Sequence, residues 1–484
     1  MAQEIKQLQP QAIWNYFYEI TQFPRPTGQT KEVAEYIASV GKKLGLETKR
    51  DEVGNVLIIK PATPGLENRP KVTLQGHMDM VPQKNKEVNH DFTKDPIDAR
   101  IDGEWVRANG TTLGADNGMG CAMALAVLSD NTLKHGPIEA LFTVDEEVGM
   151  IGANELKAGF ATGDILMNMD SEEEGNLFIG CAGGVDVNVL LEYKEQENES
   201  TDDIAVKVTL AGLKGGHSGV EIHLGRANSN KLMARFLKKA ICEYGVRLAS
   251  FEGGSMRNAI PRDAEAVVTL APEDAEGFNK MVTEWEQIFR KDYEGIEDAI
   301  TLKVEKCPLP KMLIPEEIQD NFINALEACV NGPVSMLQSF KNTVESSTNM
   351  SIVTAKEGKI IVRFLVRSSS QSRKMQVASQ VESAFLLMGA DVEFDVDYSG
   401  WQPNTKSHAL EILKKAYTKV YGKEPEVKVM HAGLECGIIQ GVMPDMDMIS
   451  FGPTIEHPHS PDERVNIASV ERTYKVVEEA LANI

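Results

Sequence analysis

Apolar positions recur at about 3.6-residue spacing over 10–22 and again over 29–44, which predicts two amphipathic helices early in the chain. The stretch LETKRDEVGNVLIIK then alternates around Gly54-Asn55 and reads as a hairpin with a two-residue turn. From there the rhythm changes. KVTLQGHMD, IEALFTVDEE and DILMNMDSEEEG are short apolar runs that each end in acids or histidine, and GMGCAMALAVLSD between the first two reads as a small-residue helix. Buried runs alternating with helices predict a mostly parallel sheet whose functional groups collect where the strands end.

Between about 185 and 400 the texture is different. VDVNVLLEYK, DDIAVKVTLAG, AEAVVTLAP and KIIVRFLVRSS read as strands, interleaved with amphipathic helices near 229–243, 276–292 and 371–388. The β/α rhythm returns after 400 through EVKVMHAG, MDMISFGP and a terminal helix from 468. The expected fold class is α/β: a mixed, mostly parallel sheet with helices on both faces, built from 1–185 and 401–484, with an α+β lid domain inserted as 186–400.

Composition narrows the partners. The chain has 484 residues, 42% apolar and 25% charged, the balance of a folded globular protein. Its net charge of -22 repels nucleic acid and anionic membranes while suiting multivalent cations. No run approaches the roughly 18 apolar residues of a membrane span, and MAQEIKQLQPQAIW lacks the basic and apolar regions of a secretory signal, so a cytoplasmic location is expected. The six cysteines show no clustered spacing and are expected to be free thiols, mainly in the core.

The candidate chemistry sits at the strand ends. In GHMD, His77 and Asp79 are two residues apart, which in an extended strand places them on one face with the carboxylate able to orient the imidazole. Asp116 in TTLGADNG, Asp145, Glu146 and Glu147 in TVDEEVG, and Asp170 in MNMDSEEEG add acids at further ends. Like charges brought together at one sheet edge repel unless cations occupy the cluster. With His457 from FGPTIEHPHSPDE the set becomes two imidazoles and three carboxylates, one of them bridging, a donor set for two divalent metals, Zn or Mn. HAGLECG, with His431, Gly433 and Glu435, reads as a loop of a substrate pocket.

Taken in order, GHMDMVPQ, TTLGADNG, TVDEEVGMIGA, the Asp170 strand end, GGHSGVEIHLGRANS, NAIPRDAEA and FGPTIEHPHSPDERV resemble the di-zinc aminoacylase/carboxypeptidase metallopeptidase family, and within it the aminoacyl-histidine dipeptidases related to carnosinases. The resemblance implies that His77 and Asp170 bind one metal, that Glu147 and His457, rather than His459, bind the other, and that Asp116 bridges them. It implies Glu146 as general base, Asp79 as the residue orienting His77, a cis peptide bond between Asp116 and Asn117, and His217 in GGHSG as stabiliser of the developing oxyanion. Arg367 in FLVRSSS is then the arginine for the substrate carboxylate, with Arg363 the less favoured choice, and Asn258 contacts substrate.

The implied activity is metal-dependent hydrolysis of short peptides, Xaa-His dipeptides first, with two divalent ions, Zn or else Mn or Co. A deacylase or desuccinylase of N-acyl amino acids would use the same ligands, and a non-catalytic metal-binding protein is the alternative outside enzymes. The expected partner is a small peptide, with a homodimer formed through the lid domain as a further expectation.

Overall fold

The computed structural model describes residues 2–484. The chain divides into two compact units: one comprises the residues up to Gly180 with Trp401–Val429 and Leu434–Ile484, the other Cys181–Gly400 with Met430–Gly433. The crossing point near 180 lies slightly before the expected 185, and the short return at 430–433 is a feature that composition does not mark.

The first unit is built on an eight-stranded mixed sheet. Its strands follow the order Glu47–Arg50, Val56–Lys60, Ile138–Thr143, Val72–His77, Ile165–Asn168, Asp447–Ser450, Asn176–Cys181 and Glu426–Met430. The four central strands, from Ile138–Thr143 to Asp447–Ser450, run parallel, and antiparallel pairings flank them. Three of these four are buried along their whole length and the fourth almost so, as expected of central parallel strands covered on both faces.

Helices Gln11–Thr21 and Lys31–Lys43 bury one face each, through Trp14, Phe17 and Ile20 and through Val33, Ile37 and Val40. Helix Ala115–Ser129 is buried almost throughout and needs its small residues. A Cβ on Gly120 would lie 2.8 Å from the Met169 carbonyl, and one on Gly76 would lie 2.3 Å from Asn117 Oδ1, so glycine on both elements permits the close approach of helix and strand. The first hairpin departs from expectation. The register pairs Arg50 with Val56 and leaves 51–55 as the turn, because the Asp51 carboxylate accepts from the Gly54 and Asn55 amides and so favours a wider loop.

The second unit is α+β. A nine-stranded antiparallel sheet runs from Thr301–Cys307 through Ile204–Ala211, Ala264–Leu270, Arg247–Gly253, Val344–Lys356, Lys359–Ser368 and Gly183–Glu192 to Asp391–Tyr398, with Gly332–Met336 paired beside Val344–Lys356. Helices Ser229–Tyr244, Ala275–Asp292, Glu316–Ala328 and Gln371–Leu386 supply Phe236, Phe278, Phe322 and Phe385 to a single core with Val185, Val187 and Val362 of the sheet. Four of the six cysteines are buried and all six are free thiols.

Candidate metal centre and substrate groups

Parallel strands deliver their C-terminal ends to one edge of the sheet, and five of the sequence candidates lie there. His77 closes strand Val72–His77, Asp145 to Glu147 follow Ile138–Thr143, and Asp170 stands two residues beyond Ile165–Asn168. Asp116 enters from the start of helix Ala115–Ser129, where Asp116 and Asn117 have non-helical backbone angles and the bond between them is cis.

The side chains converge. His77 Nε2 lies 2.9 Å from Asp116 Oδ1 and 3.3 Å from Asp170 Oδ1, while His77 Nδ1 is 3.3 Å from Asp79 Oδ1. Asp79 does more than face the imidazole: its oxygens accept from the backbone amides of Glu146 at 2.9 Å and Glu147 at 3.2 Å, and from Thr27 Oγ1 at 2.8 Å. One buried carboxylate therefore fixes both the histidine and the segment carrying the two glutamates. Thr27 was not legible as part of the site, since a threonine in FPRPTG carries no signal of its own.

The other oxygen of Asp116 meets a second imidazole, and that ring is His459, not His457. His459 Nε2 is 3.1 Å from Asp116 Oδ2 and 3.0 Å from Glu147 Oε2. Both histidines have left-handed backbone angles in the turn after Ile455–Glu456, but only His459 joins a group of donor atoms within 4.8 Å of one another. Among the described residues the three such groups are His77 with Asp116 and Asp170, His77 with Glu146 and Glu147, and Asp116 with Glu147 and His459.

The electrostatics are those of a crowded acid cluster. Burial pushes the Glu146 carboxyl well above its ordinary range; the His77 charge opposes this, and Asp170, Glu147 and Glu435 reinforce it. Burial also disfavours charge on His459, yet its hydrogen bonds to Asp116 and Glu147 raise it to about 11. Glu147 Oε1 is buried without a hydrogen-bond partner among the described residues, and the only close partner of Asp170 Oδ1 is the His77 ring at 3.3 Å. Such oxygens carry a desolvation penalty that a cation relieves.

The remaining candidates lie in the second unit, and three of them meet at Gly219. A Cβ there would stand 2.4 Å from the His431 carbonyl, 2.9 Å from His217 Cε1 and 3.2 Å from Arg367 Nε. His217 Nδ1 accepts from the amides of Gly219 and Val220, both at 3.1 Å, which assigns the ring proton to Nε2. Arg367 is 4% exposed, donates to Tyr398 Oη at 3.0 Å, and has no ion pair with any described residue. His431 is held at about 3 by burial and by the neighbouring Arg367 charge, and its Nε2 pairs with Ser347 Oγ at 2.7 Å.

Asn258 is exposed, and its carbonyl accepts from the Ser218 amide at 2.8 Å. Gly433 closes the 430–433 segment. Glu435 does not stay with that loop. It belongs to the first unit, fully buried, where its carboxylate accepts from Gln75 Nε2 at 2.6 Å and Thr143 Oγ1 at 2.8 Å and burial lifts it to about 7.

This pairing of a parallel-sheet edge carrying acids and imidazoles with an inserted α+β unit is the architecture of a metallopeptidase. Residues 73–483 match the model of peptidase family M20/M25/M40, and the chain belongs to that family. It is 44% identical, over 99% of both chains, to the cytosol non-specific dipeptidase of Escherichia coli. It is likewise 44% identical to the aminoacylhistidine dipeptidase of Vibrio alginolyticus, whose crystal structure superposes with a TM-score of 0.92, covering 100% of this chain and 99% of that one. The aminopeptidase PepT of Bacillus cereus, 18% identical with a TM-score of 0.57 and 98% of each chain covered, shares the fold.

Proposed function

We propose that this protein is a two-metal dipeptidase, hydrolysing the peptide bond of short peptides with a free amino terminus, Xaa-His dipeptides among them. The observation that carries the reading is Asp116, one oxygen of which meets His77 while the other meets His459. A carboxylate so placed suits a bridge between His77 and Asp170 on one side and Glu147 and His459 on the other, and the buried Oε1 of Glu147, unpartnered among the described residues, fits the same use. Divalent ions held there, Zn or else Mn or Co, supply the Lewis acidity that polarises a carbonyl and acidifies water.

The chain's own residues do the rest. Glu146 takes the proton of the attacking water and returns it to the departing amine. Asp79 keeps His77 and the Glu146–Glu147 backbone in register with one another. His217, protonated on Nε2, donates to the oxygen on which negative charge develops. Arg367, a buried guanidinium with no carboxylate partner among the described residues, takes the carboxylate of the substrate. A cytosolic location is consistent with the name of the Escherichia coli relative and with the finding that no described helix is long and apolar enough to cross a membrane.

The test is turnover of a panel: Xaa-His dipeptides, matched dipeptides with other C-terminal residues, and N-acetyl and N-succinyl amino acids, each with and without a chelator. Chelator-sensitive cleavage of the dipeptides is expected, and its spread across C-terminal residues decides how far preference for histidine extends. Cleavage of the acylated amino acids alone overturns the dipeptidase reading in favour of a deacylase, and no turnover overturns catalysis.

Arg367→Ala tests the carboxylate contact. The loss of a charge-assisted hydrogen bond, about 1.5–3 kcal/mol, corresponds to a rise in KM of roughly 10- to 100-fold with a smaller change in kcat. Dipeptide amides, which lack the carboxylate, should show little difference between variant and parent. An equal KM penalty on the amides would remove Arg367 from the carboxylate site.

A further inference from the structure

Two buried charged residues outside the cluster grip the loop that carries Asp116. Glu463 is 2% exposed and its carboxylate accepts four consecutive backbone amides: Leu113 at 2.7 Å and Gly114 at 2.9 Å on Oε2, Ala115 at 2.7 Å and Asp116 at 3.3 Å on Oε1. Arg25, 1% exposed, grips the carbonyl side, donating to Met78 O at 3.0 Å, to Asp79 O at 2.9 Å and to Gly114 O. Gly114 is thus held by its amide and by its carbonyl. Its φ is +70°, and a Cβ would stand 2.3 Å from Arg25 Nη2, so only glycine leaves room for the guanidinium.

The two grips lead to different halves of the cluster. Arg25 ties the loop to the strand end bearing His77 and Asp79. Glu463 ties it to the turn bearing His459, four residues earlier. That turn is itself closed: Ser460 Oγ donates to the His457 carbonyl at 3.0 Å and accepts from the Asp462 amide at 3.1 Å, while the Glu463 amide donates to Ser460 O at 3.0 Å. Beyond it, Arg464–Asn466 is locked by pairing with Trp105–Ala108. Fastening the Glu463 carboxylate to the Asp116 loop therefore fixes where the His459 ring stands relative to Asp116.

We propose that Glu463 is a positioning residue for the half of the metal centre made by His459, Glu147 and Asp116, and that Arg25 serves the His77 half. This rests on the two-metal reading of the cluster. The consequence is asymmetric. Glu463→Gln keeps the volume but replaces one oxygen by an NH2 group that cannot accept, leaving two of the four amides facing a donor. The loop at the His459 side loosens, while the Arg25 contacts and the His77–Asp170 pair are untouched.

The experiment is titration of chelator-stripped protein with Co2+, followed by calorimetry and by visible absorption. The parent is expected to bind two ions. Glu463→Gln is expected to bind the second at least about tenfold more weakly, the effect reported for groups that orient metal ligands, and the first within about threefold of the parent. Ser460→Ala, which opens the turn without touching the buried carboxylate, should weaken the same ion to a lesser degree and carries the test if Glu463→Gln does not fold. A merely structural role would lower the melting temperature of the metal-free variant and leave stoichiometry and affinities alone. That result, or equal weakening of both ions, overturns the proposal. A parent that binds fewer than two ions overturns the two-metal reading itself, a separate and recognisable outcome.

Discussion

Glu146→Gln is expected to bind its metals as the parent does and to hydrolyse dipeptides at least about a thousandfold more slowly. General-base assistance is worth about 10²- to 10⁴-fold, and the upper part of that range applies where the base is held in place. Glu146 is so held: its amide donates to Asp79, the carboxylate that also faces His77. Glutamine fills the same volume and preserves that backbone bond, yet it cannot accept a proton. The measurement pairs kcat with Co2+ stoichiometry. The pairing matters because Glu146 also stands within one of the three donor groups, with His77 and Glu147. A variant that loses an ion along with its activity would make Glu146 a ligand rather than the base, and unchanged kcat would remove it from the chemistry.

Much of this arrangement was legible because burial and periodicity speak through composition. The central parallel strands are buried on both faces and stop abruptly at charged residues, so runs such as IEALFTVDEE announce both the strand and the functional end. Helix Ala115–Ser129 was readable from its alanines and glycines, which close approach to the Val72–His77 strand demands. Strand Val344–Lys356 escaped notice for the opposite reason. Its interior contains Ser346, Ser347, Thr348, Asn349 and Ser351, all buried, so it lacks the alternation of a sheet strand. Four of those side chains have buried partners: Ser346 pairs with Ser368, Ser347 with His431, Asn349 donates to the Ala259 carbonyl and Ser351 to the Arg363 carbonyl. A strand that carries part of a site hides from a pattern built on cores.

Glu435 misled for a related reason. In HAGLECG it looks like a loop acid, but the chain turns into helix Glu435–Val442 at that residue, and its carboxylate ends the buried row Ser450, Asn168, Gln75 across three strands. Nothing in the local spelling distinguishes a carboxylate that faces a pocket from one that completes a row of hydrogen bonds beneath it. The boundary at 180 and the excursion at 430–433 are similarly silent, because a chain that crosses between units for four residues does not change its composition.

The sharpest division between sequence and structure concerns two histidines separated by one proline, and it yields the second large prediction. His459→Ala is expected to weaken one bound ion by more than about 100-fold, exceeding the 10- to 100-fold typical when only a ligand's support is lost, and to reduce kcat/KM with it. His457→Ala is expected to leave both within about threefold. The spelling HPHSPDE offers each ring equally, and alignment of motifs favours the first. The backbone decides otherwise: with left-handed angles at both residues and the turn closed by Ser460 and anchored by Glu463, the His459 ring reaches Asp116 and Glu147 at 3.1 and 3.0 Å. The His457 carbonyl is spent on accepting from Ser460, and its ring joins no donor group among the described residues. Metal titration and kinetics of the two alanine variants side by side check this directly. The reverse pattern, a silent His459→Ala beside a crippled His457→Ala, would show that the turn rearranges when the metals bind, and would withdraw the role given to Glu463 as well.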